Sequence, residues 1–340
     1  MNDSNNTYRA IEITSPGKLA LVTRKIREPG AGQVRLKVEA AGVCHSDAAA
    51  VEGQWPGLQL PRVPGHEIAG RIEAIGEGVT KWKVGQRVGV GWYGGECGEC
   101  ESCRRGDFVT CQNPIIPGIT TDGGYAEKAI VEARALASIP DDITAEDAAP
   151  LLCAGVTTYN ALRNAKLRAG DLVAVQGIGG LGHLGVQFAN RMGFTTVAIA
   201  RGKDKEELAR KLGAHHYIDS VAEDAAQALQ KLGGANAILA TAASGKSMGP
   251  LLGGLKARGK LIVVGAAMDP IEVSLPQLLF GSRTIQGELV GTAIDIEDAL
   301  NFSQRQHVHP MNEVVALEQA PAAYAKMMSN GARFRMVLKM

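Results

Sequence analysis

A chain of 340 residues with a formal net charge of +1 is long for one hydrophobic core, and its charges are too balanced for an electrostatic fit to nucleic acid or an anionic membrane. No apolar run approaches the roughly 20 residues that span a bilayer, and the start, MNDSNNTYRA, lacks the basic patch and apolar stretch of a secretory signal. Two domains in a cytoplasmic setting are expected, where thiols stay reduced and the six cysteines read as metal ligands before disulfides.

In chain order, the first roughly 155 residues carry short alternating segments rich in glycine, among them QVRLKVEAAGV, GRIEAIGEGV and GQRVGVGW, which predict short strands. GVCHSD brings Cys44, and VPGHE brings His66 and Glu67. GGECGECESCRRGDFVTC follows, from Gly94 to Cys111. Its Cys97, Cys100, Cys103 and Cys111 are the full complement of a closed tetrahedral zinc site, so that ion would be structural. A zinc ribbon for nucleic acid is the rival use, but Glu96, Glu99, Glu101 and Asp107 offset Arg104 and Arg105. APLLCAGVTTY then supplies Cys153. A lone cysteine on an apolar stretch is ordinary packing, but Cys44, His66 and Cys153 together form an open Cys₂His set, the arrangement of a catalytic zinc.

From Asp171 the texture changes. DLVAVQG suits a buried parallel strand, and GIGGLGHLGVQFANRMG reads as a turn opening a helix. Gly177, Gly179 and Gly182 form G-x-G-x-x-G at that junction, where backbone can approach a pyrophosphate. Strands recur at TTVAIA, HHYID, NAILATAA, KLIVVG and TIQGEL with helical stretches between the first five, a doubly wound dinucleotide fold. An NAD site ends its second strand on an acid, but here Ala200 is followed by Arg201, Gly202 and Lys203, which favours the 2′-phosphate of NADP(H) over NAD(H). Asp204 is a partial substitute for the acid. TAIDIEDALNFSQ and PAAYAKMM then read as helices and RFRMVLKM as a last strand. His307 and His309 stand at a metal-pair spacing but read as surface-loop histidines.

The motifs GVCHSD, VPGHEIAG, CGECESC…C, LLCAGVTTY and GIGGLG, in this order and at these separations, resemble a zinc-dependent alcohol dehydrogenase of the medium-chain dehydrogenase/reductase superfamily. The likeness runs from about Tyr8 to Met340 and is strongest to yeast-type and cinnamyl-alcohol-type members. It implies an α/β fold: a discontinuous, irregular GroES-like β-barrel catalytic domain over 1–155 and 291–340, and a doubly wound Rossmann domain over 156–290, with the active site in the cleft between them. It implies two Zn²⁺ per chain, the catalytic one on Cys44, His66 and Cys153 with Glu67 an occasional fourth ligand.

Asp47 matches the carboxylate that holds the ligating imidazole by its other nitrogen, and Ser46 the hydroxyl that takes the alcohol's proton. His45, Gly180, Leu181, Lys205 and, through the pyrophosphate, Arg335 match cofactor contacts; Trp55 and Trp92 match positions that narrow the substrate pocket. One departure stands out: Ala49 replaces the yeast-type relay histidine, so the proton leaves through water, the nicotinamide ribose or His45. The implied reaction moves hydride between the nicotinamide and a small primary alcohol or aldehyde, in a homo-oligomer (dimer or tetramer). Polyol or formaldehyde–thiol oxidation is the alternative on this scaffold. A non-catalytic nucleotide-binding relative would show a damaged triad, and a zinc-free quinone reductase would lack both cysteine sets.

Overall fold

The computed structural model describes residues 6–340. Two compact units divide them: one runs to Val156 and resumes over Val290–Arg305 and Pro310–Met340, and the other holds Thr157–Leu289 with Gln306–His309.

The first unit begins with the antiparallel pair β1 (Thr7–Ser15) and β2 (Lys18–Lys25). It continues through β3 (Gln33–Val43), β4 (Ile68–Ile75), β5 (Arg87–Val90), β6 (Lys128–Glu132) and β7 (Ala137–Ser138). β3 alternates as a half-buried strand should: Val34, Leu36 and Val38 are buried while Arg35 and Lys37 are not. Past Val38 the alternation stops, because Ala40 to Val43 are buried on both faces. Arg35 and Leu36 pair with β6, and β4 runs along the other edge of β3. Ile68, Ile72, Val88, Val90 and Leu136 pack with the β3 side chains into one core.

The second unit is a six-stranded parallel sheet of β8 (Leu172–Gln176), β9 (Thr195–Ala200), β10 (His216–Asp219), β11 (Ala235–Ala240), β12 (Leu255–Val263) and β13 (Thr284–Gly287). Their spatial order is β10-β9-β8-β11-β12-β13, so the winding reverses at the β8–β11 junction. β8 is buried along its whole length, as a central parallel strand covered on both faces must be. The helix Gly182–Arg191 follows β8, Glu206–Lys211 follows β9, and Ala225–Lys231 follows β10. Asp224 caps the last of these by accepting from the Gln227 amide at 2.8 Å. In the segment Gln306–His309, the Gln187 side chain bonds both the carbonyl and the amide of His309. The rings of His307 and His309 stack with centroids 6.4 Å apart and find no third ligand among the described residues.

The chain then returns to the first unit. β14 (Asn312–Ala316), which the residue pattern does not announce, lies parallel to β15 (Arg335–Lys339). β15 in turn pairs antiparallel with Ala40 to Val43 of β3, which accounts for the burial of that stretch on both faces. No helix among the described residues is long and apolar enough to cross a membrane.

Candidate active site

Three segments of the first unit bring their polar side chains to one place. β3 ends at Val43 and a tight 3-10 turn, His45–Asp47, follows; Cys44 sits between them with its N–H on Asp47 Oδ2 at 3.0 Å. His66 and Glu67 stand just before β4. Cys153 comes from a wide π-helical turn, Leu151–Gly155, that continues the helix Ala145–Pro150. Pro150 interrupts the helical ladder there, having no N–H to offer the Glu146 carbonyl. Asn312 Nδ2 donates to that carbonyl instead, at 2.9 Å.

The ligand atoms of Cys44, His66, Glu67 and Cys153 all lie within 4.8 Å of one another, and all four residues are buried. His66 is 1% exposed; its Nδ1 lies 2.8 Å from Asp47 Oδ1, and its Nε2, beside the Cys44 sulfur, makes no hydrogen bond of good geometry among the described residues. A buried ring nitrogen left this way is costly unless something else binds it. With two sulfurs and a carboxylate beside it, the donor set fits zinc. Burial disfavours a charged imidazole, but Asp47 and Cys44 outweigh it and hold His66 well above its ordinary pKa. A hydrogen bond with Cys153 holds the Cys44 thiol well below its usual range, and the same bond together with burial pushes Cys153 up. One sulfur of the pair is thus ready to act as a thiolate.

Glu67 has no solvent exposure, and Arg335 Nη2 donates to both its oxygens, at 2.5 and 2.6 Å. Burial pushes this carboxyl up, to about 8, while the guanidinium pulls the other way. Gly42 makes the room: a Cβ there would stand 1.7 Å from Glu67 Oε2.

The cysteine loop is a second candidate metal centre. Sγ–Sγ distances are 3.4 Å for Cys100–Cys103, 3.6 Å for Cys97–Cys111 and 4.0 Å for Cys97–Cys103, and all the cysteines are free. Four sulfurs at about 2.3 Å from a central ion make a tetrahedron with edges of about 3.8 Å, so this spacing fits zinc. Backbone amides of Glu99 and Cys100 pull the Cys97 thiol down to about 6, and those of Cys103 and Gln112 lower Cys100. Burial raises Cys103 to about 12.

In the second unit, Gly177 has φ +88° and a Cβ on Gly182 would fall 1.7 Å from the Gly177 carbonyl oxygen, so both positions exclude a side chain. A Cβ on Gly179 would point into open space. Gly180 and Leu181 turn the chain into the helix Gly182–Arg191, and Lys205 Nζ donates to the Ile178 carbonyl of this loop at 2.8 Å. β9 ends at Ala200, and Arg201 is exposed.

Residues 30–141 match the family model described as alcohol dehydrogenase GroES-like domain, and 180–305 the one described as zinc-binding dehydrogenase. The alcohol dehydrogenase patD of Penicillium expansum is 44% identical over 98% of this chain and 98% of its own length. The chain belongs to the zinc-type alcohol dehydrogenases of the medium-chain dehydrogenase/reductase superfamily. Solved structures agree. A cinnamyl alcohol dehydrogenase of Sorghum bicolor is similar at TM-score 0.87 and 33% identity, over 98% of this chain and 97% of that one. The CAD of Helicobacter pylori, complexed with NADP(H), is similar at TM-score 0.85 and 27% identity, over 98% of each chain. As in that family, the first unit contains a GroES-like domain and the second a Rossmann-type parallel sheet.

Within this alcohol dehydrogenase fold, the aromatic positions named from sequence also meet. The Trp92 ring stands edge-on to His66 with centroids 5.0 Å apart, and Trp55 lies 6.1 Å from Trp92. Ser46 shares the turn of Cys44 and is half-buried, while His45 in the same turn is exposed. Sequence reasoning missed Tyr125, a fully buried residue whose hydroxyl donates to Asp47 Oδ2 at 2.7 Å. Asp47 therefore serves the Cys44 amide, Tyr125 and His66 together. Nothing in GGYAEK signals that role; only the folded chain brings residues 78 apart together.

Proposed function

We propose that the chain interconverts primary alcohols and aldehydes with NADP(H), and that it binds two zinc ions. The buried Cys44–His66–Glu67–Cys153 set, with His66 Nε2 unmatched, carries this reading. Zinc held there supplies a Lewis acid for the substrate oxygen. Asp47, anchored by Tyr125, orients the His66 ring so that Nε2 faces the ion. Ser46 would take the alcohol's proton and, with Ala49 in place of a relay histidine, exposed His45 or water would carry it on. Trp55 and Trp92 border the space for the substrate's carbon chain. Cys97, Cys100, Cys103 and Cys111 hold the structural ion.

Gly177, Gly179, Gly180, Leu181 and Gly182 would receive the pyrophosphate, with Lys205 beside them. Ala200 and Arg201 favour the 2′-phosphate, in keeping with the similar Helicobacter structure complexed with NADP(H). A cytoplasmic homo-oligomer completes the reading. The test is turnover of primary alcohols and aldehydes with NADPH and with NADH, measured alongside zinc content before and after chelation. Two ions per chain, NADPH preference and loss of activity with the removable zinc are expected. Full turnover after the zinc is stripped refutes the metal role, and equal or better use of NADH refutes the cofactor choice.

A further inference from the structure

β9 and β10 run parallel with Asp219 in register beside Ala200, so a carboxylate lies one strand away from the position where β9 lacks one. That carboxylate is already engaged. Asp219 Oδ1 accepts from the amides of Gly202 at 2.8 Å and Val221 at 2.9 Å. Tyr217, two residues earlier on the same strand, donates its hydroxyl to the Gly202 carbonyl at 2.6 Å. The Ser220 amide meets the Ala200 carbonyl at 3.0 Å. Both polar backbone groups of Gly202 are therefore held from β10, and Gly202 sits at φ +71°, where an L side chain is disfavoured. Exposed Arg201 and Lys203 flank this pinned residue. A loop fixed in place loses less freedom when its cations close on a ligand, so the pinning acts on recognition as well as on the fold.

We propose that Tyr217 and Asp219 are positioning residues that set discrimination at the cofactor's adenosine ribose, by holding Gly202 so that Arg201 and Lys203 are presented to a 2′-phosphate. The proposal rests on the NADP(H) reading above. It is tested with cofactor fragments, 2′,5′-ADP and 5′-AMP, titrated calorimetrically into the full chain. Tyr217→Phe removes one hydrogen bond without changing charge, and Asp219→Asn weakens the other anchor; Arg201→Ala is the reference for direct loss of phosphate contact.

The wild type binds 2′,5′-ADP more tightly, and Tyr217→Phe and Asp219→Asn each lower the 2′,5′-ADP to 5′-AMP affinity ratio by about five- to tenfold. Binding of 5′-AMP stays within about twofold, as expected for a fixed adenosine site. An unchanged ratio in both variants overturns the proposal. So does equal weakening of both ligands together with a lowered Tm, which marks a merely structural role, or tighter 2′,5′-ADP binding by Asp219→Asn, which marks a repelling charge. If the wild type itself prefers 5′-AMP, the NADP(H) reading fails alone, and the positioning role is still decided by whether the ratio moves in Tyr217→Phe.

Discussion

Tyr125→Phe isolates one atom of the candidate active site. The ring fills the same space against Gly65, and only the hydroxyl bonded to Asp47 is lost. A hydrogen bond to a charged side chain contributes about 1.5–3 kcal/mol, and the buried Asp47 Oδ2 would keep only the Cys44 amide. At about 2–4 °C per kcal/mol for a unit of this size, Tm falls by about 3–12 °C. The larger effect is on the metal. Asp47 then keeps only the Cys44 amide and His66, the imidazole is less firmly aimed, and loss of such an outer partner lowers zinc affinity by about 10–100-fold. Competition against a graded series of chelators, with zinc counted by mass spectrometry, reads this directly: the variant gives up one ion early and keeps the other. Zinc retention and Tm indistinguishable from the wild type would refute the argument.

Three further outcomes are expected. Cys103→Ser removes one of four sulfurs, so zinc content drops by one and the loop 97–111 becomes open to limited proteolysis. Asn312→Ala orphans the Glu146 carbonyl and takes a second bond from Asp147 Oδ1, lowering stability by about 1–3 kcal/mol in denaturant titration and loosening the turn that carries Cys153. Glu73 bridges Arg35 on β3 and Lys128 on β6; burial opposes its charge, but these two cations hold its carboxyl below the ordinary 4.5. Its contribution is therefore present above that value and fades as pH falls through the lower folded-state value. Glu73→Gln is less stable than wild type by about 1 kcal/mol near neutral pH, and urea midpoints of the two converge in acid.

The fold class and most of the candidate ligands are legible in the chain because local rules govern them. Cysteines with two residues between them can reach one ion without long-range help, and a glycine turn between strand and helix announces itself by composition. What escapes is set by packing between distant segments. The partnership of Glu67 with Arg335 spans 268 residues, and that of Tyr125 with Asp47 spans 78. Gly42 looks like any strand glycine until Glu67 is seen to occupy its missing side chain's place. β14 is missed for a related reason: NEVVA is short and partly exposed, and only its pairing with β15 makes it a strand.

β15 also governs the order in which a growing polypeptide can be finished. It completes the pairing of Ala40 to Val43 next to Cys44 and delivers the only guanidinium seen on Glu67 among the described residues. During synthesis the segment that carries β3 emerges first yet must wait, one sheet edge open and an acid uncompensated, until β15 has been made. Thr157–Leu289, made later but contiguous, can close its own core in the meantime. The unit that holds the candidate zinc ligands starts before Thr157–Leu289 is made and is completed after it.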